Sequence, residues 1–322
     1  MWSLLLHVAA LYSVGIHAAP LVQRDNTVSA SELATFELFA QYSGAAYCFD
    51  SVHKNGTISC SSGGGNCPLV ESANASVLNA FQAGSTKTLG YVAVDPTNSL
   101  IVCAIQGTQV STNPVNVLTD VDIIRSKTDL CGDANTTDGC LVHDGFHNAM
   151  QDAATVVLPA VQAALQEYPD YKVITTGHSL GAAVSALLGT LLRNNGIVVD
   201  MYTFGQPKLG EVDISNYIQN QAPSQGMNYR VTHYNDIVPQ LPEHEPGDWD
   251  HYYPEFWIDI GNGTVTPANI KVVEGRLFET GGNEGAKTGL GVLADIAAGG
   301  VTAHGEYFGA ISACSSSPPA SS

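Results

Sequence analysis

The stretch from Tyr171 to Leu192, YKVITTGHSLGAAVSALLGTLL, constrains the fold more than any other part of the chain. Tyr171–Thr176 is a short run rich in β-formers. Leu180–Leu192 is apolar nearly all round, as expected of a helix buried in a core. A strand that leads directly into such a helix belongs to a layered interior. The flanking sequence agrees. Leu89–Asp95 and Leu100–Ile105 read as strands around the turn Asp95-Pro96-Thr97-Asn98, and Val198–Phe204 and Asn228–His233 as two more. Asp144–Tyr168 carries Met150, Ala154, Val157, Val161 and Leu165 on one face of a long helix, with Pro159 as a candidate kink. A further helix is expected from Ser31, capped by that serine. Strands separated by long helices imply βαβ crossovers and a mostly parallel sheet, hence an α/β fold.

The chain of 322 residues can bury a full core, and no linker divides its middle, so a single domain is expected over 25–314. The 12 basic and 30 acidic residues give a net charge of −18, which argues against nucleic acid and against anionic lipid headgroups. A neutral oil surface or a neutral polysaccharide is not excluded. No apolar run reaches the roughly 20 residues of a membrane span.

Residues 1–18 read as a secretory signal, with an apolar core Leu4–Ile16 but no Lys or Arg before it. The rival reading is a buried first helix. A short pro-segment would cover 19–24, and 315–322 is a low-complexity tail. Sequons at Asn55, Asn74, Asn135 and Asn262 support an extracellular location. So do the seven cysteines. Cys60–Cys67 and Cys131–Cys140 flank short polar loops suited to disulfides. Cys103, inside an apolar run, reads as a buried free thiol. Cys48 is left to join Cys314. No paired Cys/His spacing supports zinc, so no metal is expected.

Gly177-His178-Ser179-Leu180-Gly181 matches G-x-S-x-G. The pattern alone is weak; its place between a strand and an apolar helix is the context that nucleophilic chemistry needs. A sharp turn there would present the Ser179 hydroxyl at the carboxyl edge of the sheet, above a helix N-terminus that favours developing negative charge. The rival is a capping serine in an ordinary glycine turn. His178 reads as structural. A serine hydroxyl needs a base and an orienting acid, which follow it in the order acid, then histidine, on this kind of fold. The acids downstream include Asp200, Asp213, Asp236, Asp248 and Asp250; the histidines are His233, His244, His251 and His304. Asp236 lies just past the strand NYRVTH, at the required edge, whereas Asp213 reads as a helix cap. His304 follows every candidate acid, and His251 remains a rival.

The segments FAQYSGAAYC, Gly107-Thr108, HDGF, YPDYKVITTGHSLGAA, YTFGQPKLG, RVTHYNDIVPQLP, YYPEFWI and AHGEYFGAISAC together resemble the class-three (fungal-type) lipases of the α/β-hydrolase fold and their feruloyl-esterase relatives. The resemblance runs from about Leu38 to Cys314. It implies Ser179 as nucleophile, Asp236 as acid, His304 as base, and backbone N–H donors at Leu180 and Thr108 for the oxyanion. It makes His251 structural and agrees with the three disulfides. Gln106 departs from the family's usual Arg. Gln109–Leu118, in the place of a lid, has a modest apolar face. The implied protein is a secreted, monomeric, cofactor-free serine ester hydrolase. Its expected substrate is an acylglycerol, with a feruloyl-type ester of plant cell walls as the alternative. A catalytically silent binding protein on the same scaffold is the remote reading.

Overall fold

Six consecutive apolar residues, Leu100–Ile105, form a strand in which every residue is buried. Leu100, Val102 and Ala104 pack in one cluster with Phe36, Phe39 and Tyr42 of the helix Ala30–Ala45 (α1). Ile101, Cys103 and Ile105 pack in another with Val157 and Val161 of Asp144–Glu167 (α2) and with Val184, Leu187 and Leu188 of Leu180–Asn194 (α3). Successive Cβ atoms point to opposite faces of a strand, so a run apolar at every position is the sequence of a strand covered on both sides. The computed structural model describes residues 27–60, 64–108, 124–132, 140–244, 247–275, 281–286, 294, 296 and 299–314. The expected leader and pro-segment, Gln109–Leu118 in the expected place of a lid, Asn135 and the tail 315–322 lie outside them.

The main sheet contains Gly56–Thr57 (β1), Ser76–Ala83 (β2), Thr88–Asp95 (β3), Leu100–Ile105 (β4), Lys172–His178 (β5), Val199–Phe204 (β6), Asn228–His233 (β7), Glu255–Ile258 (β8) and Ile270–Val273 (β9). Their order in space is their order in the chain. From β4 to β8 every pair is parallel. The flanking pairs, β1 to β4 and β8 with β9, are antiparallel. Short turns join β2 to β3 and β3 to β4, which pair antiparallel, and a crossover joins each parallel pair. A small second sheet joins Arg125–Thr128, Cys140–His143, Gly210–Glu211 and Trp249–Asp250.

Two local expectations change. The cap of α1 is Ser29, not Ser31: Ser29 Oγ accepts the Glu32 N–H at 3.2 Å and Glu32 Oε2 accepts the Ser29 N–H at 2.9 Å. A capping box needs Glu or Gln three residues on; Ser29 has Glu32, whereas Ser31 has Ala34. Pro159 does not end α2, which runs on to Glu167. The proline and Thr155, whose carbonyl it deprives of an amide partner, are both away from the buried stripe of the helix.

Cys48 is bonded to Cys314, Cys60 to Cys67 and Cys131 to Cys140. Cys103 is free and fully buried, and burial pushes its thiol well above the usual range. The Cys48–Cys314 bond closes a loop of 266 residues, so it restricts the unfolded chain far more than the seven-residue Cys60–Cys67 link. Replacing Cys48 and Cys314 together by serine is expected to lower the unfolding free energy by about 2–5 kcal/mol in a denaturant titration. That loss should exceed the loss from the same change at Cys60 and Cys67.

Candidate active site

β5 ends at His178 and α3 begins at Leu180, leaving Ser179 alone to make the turn. Its backbone has φ 60° and ψ −132°, in territory that costs an L-residue about 1–3 kcal/mol. The turn closes only because its neighbours are glycines. A Cβ on Gly177 would overlap the Gly181 carbonyl, and one on Gly181 would overlap the Ile105 carbonyl.

The turn aims Ser179 Oγ at His304, the last residue of the short helix Gly300–His304 (α5), with Oγ 2.8 Å from Nε2. His304 Nδ1 lies 2.9 and 3.0 Å from the two carboxylate oxygens of Asp236, three residues past the end of β7. With Nδ1 donating to the carboxylate, Nε2 carries the lone pair that accepts the Ser179 hydroxyl proton. All three side chains are buried. The structure thus brings Ser179, Asp236 and His304 together from three distant segments.

Asp236 is held from several directions. The Val238 N–H donates to Oδ1 at 2.9 Å and the Tyr307 hydroxyl to Oδ2 at 2.6 Å. Burial, with Asp236 beside it, keeps Tyr307 well above the usual phenol range, so the phenol stays a donor. The buried Asn283 side chain donates to the Asp236 carbonyl at 2.9 Å, and its own N–H reaches Glu255 at 3.3 Å. Glu255 also accepts from Thr232 at 2.6 Å and lies 3.7 Å from the Arg230 guanidinium. Sequence reasoning assigned no role to Tyr307 or Asn283. Tyr307 is three residues from His304 inside a quoted segment; Asn283, in a glycine-rich loop, offered no signal.

Leu180 is the first residue of α3, where backbone N–H groups lack partners within the helix. Gly107 lies against Ser179, since a Cβ there would come within 3.2 Å of Ser179 Cβ. The half-buried Thr108 follows it, just past the end of β4. Gln106, in place of the expected arginine, donates from Nε2 to the Ala46 carbonyl at 2.8 Å. This neutral bond caps the end of α1 and leaves no buried charge to compensate.

The other candidates stand apart. His251 Nε2 donates to the Pro239 carbonyl at 2.7 Å, and its N–H bonds to Asp250. The ring nitrogens of His233 bridge the carbonyls of Ala303 and Ile260 at 2.9 and 2.8 Å. Asp213 lies in the first turn of Val212–Gln221 (α4). Among the described residues no group of three or more His, Cys, Asp or Glu could hold a metal ion, and no helix is long and apolar enough to cross a membrane.

His178 joins the two sides of the site. Its Nε2 is 2.8 Å from the His304 carbonyl and donates to it, so Nδ1 accepts the Tyr47 hydroxyl at 2.8 Å. The Tyr47 oxygen in turn receives the Gly107 N–H. The ring therefore ties the backbone of His304 to the loop that carries Thr108. Burial, and then the neighbouring His304, hold His178 well below the usual imidazole range, so it is neutral.

Known proteins resemble this chain in both sequence and fold. The family model for class 3 lipases matches residues 102–245. Secreted mono- and diacylglycerol lipase A of Penicillium cyclopium is 36% identical over 297 residues, covering 90% of each chain. Secreted mono- and diacylglycerol lipase 1 of Fusarium solani is 35% identical, covering 86% of this chain and 78% of its own. The crystal structure of a mono- and diacylglycerol lipase from Aspergillus oryzae superposes with a TM-score of 0.75 at 32% identity, over 89% of this chain and 100% of the other.

A buried neutral histidine makes stability depend on pH. The unfolded chain takes up a proton at this ring near the ordinary value of 6.5, and the folded chain does not. Stability is therefore complete above about pH 6.5 and falls as pH drops below it, by up to about 1.4 kcal/mol per unit for this group. His143 and His147, lowered chiefly by burial, act in the same direction. The unfolding free energy is expected to decline from pH 6.5 to about 5. His178→Gln, whose amide can still donate to His304 and accept from Tyr47, should decline less steeply in the same titration.

Proposed function

Because the chain belongs to the class 3 lipase family and is a serine ester hydrolase, we propose that it cleaves acylglycerols outside the cell, with mono- and diacylglycerols as preferred substrates. The observation that carries this reading is the 2.8 Å contact between Ser179 Oγ and His304 Nε2, backed by Asp236. The names of the relatives favour acylglycerols over feruloyl esters.

His304 takes the Ser179 proton as Oγ attacks the ester carbonyl. Asp236 fixes the tautomer of His304 and stabilises its cation. The N–H groups of Leu180 and Thr108 hold the tetrahedral oxyanion, where each donor is worth about 10²–10³ in turnover. His304 then passes the proton to the departing glycerol oxygen, leaving an acyl group on Ser179. Water attacks that ester by the reverse route and releases the fatty acid. Tyr307 keeps the Asp236 carboxylate in place as the charge on His304 changes, and Asn283 holds the Asp236 backbone. The mature protein works as a monomer, secreted by its leader.

Ser179→Ala should lower turnover of a soluble ester by roughly 10⁴–10⁶-fold and abolish labelling by an organophosphonate; retention of full activity would refute the mechanism. His304→Ala should be equally inactive. His251→Ala should lose stability yet keep measurable turnover. A panel of mono-, di- and triacylglycerols beside methyl ferulate tests the substrate class, with hydrolysis of the partial glycerides expected to dominate.

A further inference from the structure

Tyr234 is presented to solvent, while the other large aromatic rings among the described residues are buried wholly or in part. Among the described residues the exposed large apolar side chains are Leu69, Ile124, Val198 and Tyr234, of which only Tyr234, 42% exposed, is aromatic. The ring is not exposed through looseness. Its backbone is held at φ 38°. Its N–H donates to the Ile258 carbonyl at 2.7 Å, and its carbonyl accepts from Trp257 Nε1 at 2.9 Å and from Asn283 Nδ2 at 3.2 Å. A strained, fully bonded backbone thus fixes an aromatic face two residues before Asp236.

The ring lies against Gly261, where an added Cβ would come within 3.1 Å of it. The next residue is the exposed Asn262, which opens the sequon Asn262-Gly263-Thr264. Tyr234, Asn262, Thr264 and Phe308 border one cleft of about 670 Å³, whose other walls include Asn235 and Thr302. The volume is in the range of small-ligand sites. The lining mixes aromatic rings with hydroxyl and amide groups and with the carboxylates of Glu37 and Glu306, acceptors and donors that suit the alternating apolar and hydroxylated surface of a sugar. Asn55, by contrast, borders a cleft of only about 130 Å³ with no aromatic in its wall.

We propose that Asn262 carries an N-linked glycan whose first N-acetylglucosamine sits in this cleft with its apolar face on the Tyr234 ring. The donor is an oligosaccharide on a polyisoprenyl diphosphate. Asn262 Nδ2 forms the new bond to the sugar's anomeric carbon, the bond from that carbon to the diphosphate oxygen breaks, and the amide gives up one proton. The sugar braces the loop that His233 ties, through Ile260 and Ala303, to the residue before His304.

The test uses protein secreted from a eukaryotic host. Peptide mass analysis is expected to find Asn262 modified; an unmodified Asn262 in the mature protein overturns the proposal. Endoglycosidase trimming to one N-acetylglucosamine should leave Tm unchanged. Asn262→Gln and Thr264→Ala, two routes to loss of the sequon, should each lower it by about 2–4 °C. In a Tyr234→Ala background neither should lower it further, while Tyr234→Phe should behave as wild type. Equal losses in the wild-type and Tyr234→Ala backgrounds would show a glycan that does not rest on the ring, and would overturn the assignment.

Discussion

The backbone of Ser179, held at φ 60° between a strand and a helix, is the constraint on which the rest of the structure depends. A residue strained by about 1–3 kcal/mol stays so only where its surroundings leave no alternative. Here β5 is pinned by parallel neighbours on both sides, with Gly177 opposite Ile105 and Thr203. The Ser179 N–H is taken by the Phe204 carbonyl at 2.9 Å. The following helix buries Ala182, Ala183, Val184, Ala186, Leu187 and Leu188 completely and cannot rotate without exposing them. The hydroxyl is thereby fixed at one point above the sheet. Everything else in the site, from the Thr108 loop after β4 to Asp236 after β7, comes from the same carboxyl edge because that is where the hydroxyl is.

The support around that point is polar and buried, and most of it is neutral. His178, Tyr47, Gln106, Tyr307 and Asn283 each span two segments of backbone or reach the carboxylate directly. A buried polar network whose members find partners is stiff, and one left half-satisfied is costly. Such a set specifies a single arrangement of loops more sharply than apolar packing alone. With charged residues at 13% of the chain, the protein gains this rigidity from amides, phenols and neutral imidazoles.

The layers of the fold were legible because they follow from local pattern. Leu100–Ile105 announces a two-sided strand, and Leu180–Leu192 a helix with no wet face. The elbow was legible for the same reason: glycines two residues either side of a serine, between a β-rich run and an apolar helix, mark a turn too tight for side chains at those positions. Ser29 is legible through Glu32 three residues on, while Ser31, nearer the apolar Leu33 and Phe36, competes with it as a cap. Strands such as Glu255–Ile258 and the two-residue strands of the small sheet are too short to show a period. Asp236 and His304 were reached by edge and order, which still left His251 open until the family resemblance was considered. The partners of Asp236 were hidden because Asn283 meets it across 47 residues in a loop with no period of its own. What Gln106 bonds was hidden for a like reason, since Ala46 is 60 residues away.

The strands of the main sheet lie side by side in the order in which they are made, and His304 comes 125 residues after the Ser179 it faces. A chain emerging from the ribosome therefore displays its serine elbow before the His304 imidazole exists to reach it. The Cys48–Cys314 bond closes later still and locks the final segment against the first helix. A growing or truncated polypeptide that stops short of residue 304 carries the Ser179 hydroxyl without the imidazole that faces it in the folded protein.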